Sequence, residues 1–132
     1  MAQIRKKVRK AADFFGGHID TLINNGGTAA PYWKDGKTVE GPEMLDQWKA
    51  YIEANLMAPF AASQACIPYM KGTREKNIKE AGPYIIHVSS FCAYVSDPNQ
   101  EGYASTKVGE LGLTQSMAIT CQRRVSESTQ PY

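Results

Sequence analysis

No apolar run in the 132 residues reaches the roughly 20 residues that a helix needs to cross a bilayer. The N-terminal stretch is charged and lacks the apolar segment of a secretory leader. Cysteine is scarce. Cys66, Cys92 and Cys121 are odd in number, far apart and without metal-ligand spacing, so they read as reduced thiols of a cytoplasmic protein. His18 and His87 have no partner pattern, which leaves both with structural roles and predicts no metal site. The glycines form no G-x-G-x-x-G or similar cluster, so no phosphate-cradling turn opens a helix anywhere in the chain. Charge of one sign is also lacking, and a formal net charge of +2 points to no particular partner. The basic run from Arg5 to Lys10 is read as a solvated helix face, because Ile4, Val8, Ala11 and Phe15 recur at helical spacing beneath it. A nucleic-acid partner and a membrane are therefore not expected.

What is present fits one domain at most, with an ordinary globular composition. The pattern predicts an amphipathic helix over about Ala2–Phe15 and a turn at Gly16-Gly17. A short buried strand over Thr21–Asn24 is stopped by Gly26-Gly27. A loop follows over Thr28–Pro42. Met44, Leu45, Trp48, Ile52, Leu56 and Phe60 then mark a long helix, with Glu43 suited to its positive N-terminal end. Lys71–Gly82 reads as a surface excursion, Tyr84–Val88 as a second buried strand and Tyr103 to about Thr120 as the last helix. Helix, strand, helix, strand, helix implies an α/β fold with parallel strands, and ligands in such sheets sit beyond the carboxyl ends of the strands. Asn25 and Ser90 both fall at such ends.

The chemistry concentrates between Ile86 and Lys107. A serine hydroxyl, Ser90, ends an apolar run, and Tyr103 and Lys107 follow four residues apart, on one face if the segment is helical. An ammonium beside a phenol favours the phenolate, which turns a group that ordinarily titrates near 10 toward acid–base use. Upstream, Asn55 falls on the apolar face of its helix, where a buried amide must find hydrogen-bond partners. Pro59 has no N–H for the Asn55 carbonyl, which leaves that carbonyl to a water, to a ligand or to a simple kink. Asn24-Asn25-Gly26-Gly27 is either a turn or a backbone that something approaches closely at Gly27.

In this order and spacing, the Asn-Asn-Gly-Gly run, Asn55, Ser90 and Tyr103-x-x-x-Lys107 resemble the classical short-chain dehydrogenase/reductase family over roughly Val8–Ile119, and Ser96–Gly102 looks like fungal members. The resemblance implies a partial Rossmann-like, doubly wound parallel sheet in residues 1–119, lacking the N-terminal glycine-rich βαβ unit and the C-terminal strands. Residues 120–132 are expected to form a divergent, disordered tail. It implies NAD or NADP as cofactor and a small carbonyl or alcohol substrate. Tyr103 is then the acid/base, with Ser90 on the substrate oxygen. Lys107 would serve both the tyrosine and the nicotinamide ribose, and Asn55 would hold a proton-relaying water. Asn24, Asn25 and Gly27 would line the ribose side of the cofactor while the asparagines brace the sheet. Gly109 and Gly112 suggest close helix packing, and the resemblance implies a homo-oligomer through helices 43–70 and 103–120. An inactive fragment that binds a full-length paralogue, and an extended-type relative that also uses Tyr-x-x-x-Lys, are the alternatives. Marginal stability is expected of two central strands without neighbours.

Overall fold

A computed structural model describes residues 1–29, 39–70 and 83–128, the last seven of these as backbone only. The expected loop over Thr28–Pro42 lies partly, and the excursion over Lys71–Gly82 wholly, outside the described residues, as does the end of the tail. The order is α1 (Ala2–Phe14), β1 (Thr21–Asn24), α2 (Met44–Ile52), a π-helical turn (Glu53–Met57), α3 (Ala58–Cys66), a 3₁₀ turn (Ile67–Tyr69), β2 (Tyr84–His87), a second 3₁₀ turn (Phe91–Ala93) and α4 (Glu101–Ser128). β1 and β2 pair in parallel with Thr21 opposite Tyr84 and Asn24 opposite His87. The fold is α/β, as the alternation predicts.

Both strands are only half-buried, where the sequence predicts full burial. Leu22, Asn24, Ile85 and His87 turn one way, and α3 packs against that side of β1. Thr21, Ile23, Tyr84 and Ile86 turn the other way, and Ile23 and Ile86 remain 60% and 45% exposed. Parallel strands normally carry cover on both faces, so this sheet presents an apolar face that no described element covers. Among the described residues no helix is long and apolar enough to cross a membrane.

The predicted helix from Met44 to beyond Phe60 forms, but it is not uniform. Pro59 cannot donate to residue 55, and the backbone answers with a π-helical turn in which the Ala58 N–H reaches the Glu53 carbonyl, five residues back. The buried positions then step by four, Tyr51, Asn55, Pro59 and Ser63, along one stripe. In an unbroken α-helix that spacing drifts around the axis; the wider turn holds it on one side. This corrects the expected apolar face, because Leu45 and Trp48 are largely exposed and Tyr51 takes the core position. In α1 the correction is similar: Ala12 is buried against the α3 side while Phe15 is exposed. α4 runs past the expected end near Thr120 to Ser128, across Gln122-Arg123-Arg124, with no proline before Pro131 to stop it. It packs on α2, on the π turn and on the 3₁₀ turn after β2. At Gly102 a methyl group would lie 2.6 Å from the Tyr51 ring, so glycine lets the first turn of α4 close on α2. Gly109 meets Leu56, whereas Gly112, also expected to be close-packed, has nothing within 4 Å of a built Cβ.

Candidate active site

β2 ends at His87, and the next two residues are each tied to α4 by one bond. The Lys107 ammonium donates to the Val88 carbonyl at 2.9 Å, and the Ser89 hydroxyl donates to the Lys107 carbonyl at 2.9 Å. Ser90 then caps the 3₁₀ turn: its extended backbone aims the hydroxyl oxygen at the Cys92 N–H, 3.2 Å away. The oxygen is thereby held as an acceptor, which leaves the hydroxyl hydrogen to donate outward. The chain end of one strand and the start of the last helix thus meet where the open-sheet rule places ligands.

On α4, Tyr103 and Lys107 do share a face. The Lys107 nitrogen sits 5.7 Å from the centroid of the Tyr103 ring, and the Tyr51 ring packs on the other tyrosine at 6.1 Å. The sequence reading missed Glu110. It lies one helical turn beyond Lys107 and is 1% exposed, with Lys107 at 7%. The ammonium is 3.1 Å from each carboxylate oxygen. With the Val88 carbonyl, three acceptor atoms surround the ammonium. Burial pushes the Glu110 carboxyl above the usual carboxylate range, against the pull of the Lys107 hydrogen bond and charge. The Lys-x-x-Glu spacing was visible in the sequence; what was not visible is that both ends would be buried.

Asn55 is fully buried and its amide is spent on its neighbours. The side-chain oxygen accepts from the Thr28 N–H at 2.8 Å. The nitrogen donates to the Thr28 carbonyl at 2.9 Å and to the Thr106 hydroxyl at 3.3 Å. One side chain therefore joins the loop after β1, the π turn and α4. Gly27 is explained by the same contact, because a Cβ there would come within 2.8 Å of the Asn55 oxygen. The close approach inferred at Gly27 is made by Asn55. Asn24 faces inward: its amide donates to Ser63 at 3.0 Å, and Ser63 in turn donates to the Pro59 carbonyl at 2.8 Å. This is bracing between β1 and α3. Asn25 and Gly26 are exposed at the strand end, with open space at Gly26. The site residues therefore form two groups, Ser90–Tyr103–Lys107–Glu110 and Asn55–Thr28–Thr106, adjoining along α4.

His87 completes the bracing layer. Its Nδ1 lies 3.4 Å from the Asn24 amide nitrogen, while its Nε2 is buried without a partner among the described residues. Burial holds the imidazole below its usual 6.5. The unfolded chain then takes a proton more readily, so this contribution is complete above pH 6.5 and is lost as pH falls through the lowered value. Thermal unfolding at a series of pH values should show the midpoint declining below pH 6.5. In His87→Asn the decline should be shallower. An identical slope in the two proteins would show that His87 does not contribute.

An open cleft of about 430 Å³ lies between the N-terminal ends of α2 and α4, and none of the candidate residues lines it. No cluster of metal-ligating side chains occurs among the described residues.

The model of the short chain dehydrogenase family matches residues 1–126. The chain belongs to that family. The match starts earlier and ends later than the motifs alone suggested, and it takes in most of α4. An oxidoreductase of Thermotoga maritima is 32% identical over 120 residues. A 3-oxoacyl-[acyl-carrier-protein] reductase of the same organism is 34% identical over 116 residues. These alignments cover 91% and 88% of this chain but 41% and 42% of the relatives. A short-chain dehydrogenase/reductase from Serratia marcescens superposes with a TM-score of 0.74 at 29% identity, over 93% of this chain and 50% of the other. The chain thus spans less than half the length of the curated relatives it matches.

Proposed function

We propose that this chain carries the acid–base half of an NAD(P)-dependent oxidoreductase acting on a carbonyl/alcohol pair. The observation that supports it most directly is the Lys107 ammonium, beside the Tyr103 ring on one side and bonded to the Val88 carbonyl, two residues before Ser90, on the other. When bound, a nicotinamide cofactor supplies or accepts the hydride. In the reducing direction the Tyr103 hydroxyl donates its proton to the carbonyl oxygen, and Ser90 donates a hydrogen bond to the same oxygen. Lys107, held beneath the tyrosine ring, engages the ribose hydroxyls. Asn25, Gly26 and Gly27, open at the end of β1, flank the ribose side, and Asn24 holds that strand in place through Ser63. With its amide spent, Asn55 acts through the loop and helix it joins; a relaying water would rest on its backbone carbonyl, which Pro59 cannot occupy.

These residues fit the nicotinamide-ribose half of the cofactor. Nothing in the chain fits the pyrophosphate half, since no glycine-rich turn is present, nor is there a residue to select NAD over NADP. Titration with NADH and with NADPH, followed by cofactor fluorescence and thermal shift together, tests the reading. Saturable binding of either supports it, and no response at millimolar cofactor would overturn it for the chain alone. That second outcome would favour the other reading, a catalytically inactive partner of a full-length family member, which the uncovered sheet face motivates.

Self-association belongs to the same proposal. Leu45, Trp48, Met57 and Phe60 on the α2–α3 segment, and Val108 and Ile119 on α4, leave apolar surface outward on the two helices expected to pair between copies. Light scattering at tens of micromolar should give at least a dimer; a sharp monomer would count against it. Free thiols at all three cysteines suit a reducing compartment such as the cytoplasm.

A further inference from the structure

Lys107 enters the proposed reaction with its ammonium already engaged. It is shared between the two oxygens of the Glu110 carboxylate, at 3.1 Å to each, and it donates to the Val88 carbonyl, at 2.9 Å. The carboxylate is buried more completely than the lysine it faces, and among the described residues no other side chain bonds to it. A carboxylate in such a place has to be paired, because an unpaired buried charge is far costlier than an exposed one. Surface helices carry many Lys-x-x-Glu pairs that do nothing beyond a few tenths of a kcal/mol. This one is distinguished by burial and by its lysine, which lies under the Tyr103 ring.

We propose that Glu110 is the positioning residue of this site: its carboxylate holds the Lys107 ammonium at rest and competes with a ribose for the same ammonium. The proposal rests on the cofactor reading above for its second half and on geometry alone for its first. Two consequences follow. The ammonium has one orientation before any ligand arrives, since the carboxylate and the Val88 carbonyl converge on it from α4 and from the end of β2. The same carboxylate also opposes an incoming anionic dinucleotide, both by competing for hydrogens and by its charge. Glu110 therefore trades affinity for a fixed ammonium. A residue that merely filled space would do neither.

The test compares the wild type with Glu110→Gln, which keeps shape and removes charge, and with Glu110→Asp, which keeps charge and shortens the arm. Lysine ammonium groups are followed by ¹H–¹⁵N spectra, with Lys107→Arg to assign the signal, and NADH affinity by fluorescence. A slowly exchanging Lys107 ammonium signal is expected in the wild type and is expected to vanish in folded Glu110→Gln. NADH is expected to bind Glu110→Gln about tenfold more tightly, the size of one lost charge-assisted competitor bond. An unchanged Lys107 signal in folded Glu110→Gln overturns the holding role. A lost signal with NADH affinity unchanged or weaker overturns the competition. If Glu110→Gln does not fold, Glu110→Asp decides: faster ammonium exchange supports the proposal and unaltered exchange overturns it. Absence of NADH binding in every variant, wild type included, overturns the cofactor reading and the competition with it, while the ammonium signal still decides the holding role.

Discussion

Replacing Tyr103 by phenylalanine should reduce carbonyl reduction by about 10²- to 10⁴-fold in kcat, the range that a positioned acid–base group contributes. The ring stays, so its packing on Tyr51 and over Lys107 is kept and the fold should be unchanged by circular dichroism. Only the hydroxyl is removed. The assay is loss of reduced-cofactor absorbance against a panel of small ketones and aldehydes, with the wild type measured alongside. Cofactor affinity should change little, because Lys107 is held by Glu110 and Val88 rather than by the phenol. A Tyr103→Phe protein that reduces carbonyls as fast as the wild type would remove Tyr103 from the chemistry, whatever its place beside Lys107.

The largest effect on stability should come from Lys107→Met. It removes one member of a buried pair and leaves the Glu110 carboxylate without its partner, a change that typically costs about 3 kcal/mol or more. Both influences that hold the Glu110 carboxyl down come from Lys107, so without them burial raises it further. The folded state then binds a proton more readily than the unfolded chain, whose carboxyl titrates near 4.5. Stability of the variant should be fully present below that value and be lost as pH rises through the raised one. Urea unfolding at acid and neutral pH measures this directly. The double variant Lys107→Met with Glu110→Met should recover most of the loss at neutral pH, because an apolar pair needs no partner charge. Equal stability of Lys107→Met and the wild type at neutral pH would show that the pair carries no weight.

Local patterns reached far in this chain where one rule acted alone. β1 was bounded correctly because Gly26-Gly27 ends an apolar run, and Tyr103 and Lys107 share a face because four residues make about one turn. The reading faltered where two rules met. Pro59 announced a broken bond in the helix but not the π-helical turn that answers it, nor the reach of Asn55 to Thr28 and Thr106, residues distant in sequence. Gly27 was correctly read as a point of close approach, while its neighbour lay 28 residues further on and could not be named. Glu110 was not singled out in the sequence, because its burial comes only with the tertiary packing of α4. Gly112 was grouped with Gly109 on composition, yet just one of them faces Leu56.

β1 pairs with β2 across 63 residues of chain, Asn24 opposite His87, and among the described residues these two strands are the sheet. The helices can form from neighbours, but the strands meet only after a long segment has closed on itself, and among the described residues no nearer strand is there to seed them. Folding should therefore run helices first and sheet last. In the interval β1 and β2 offer unpaired backbone and the side chains of Ile23 and Ile86 to whatever strand arrives, so the speed of that closure sets how much chain survives its own synthesis.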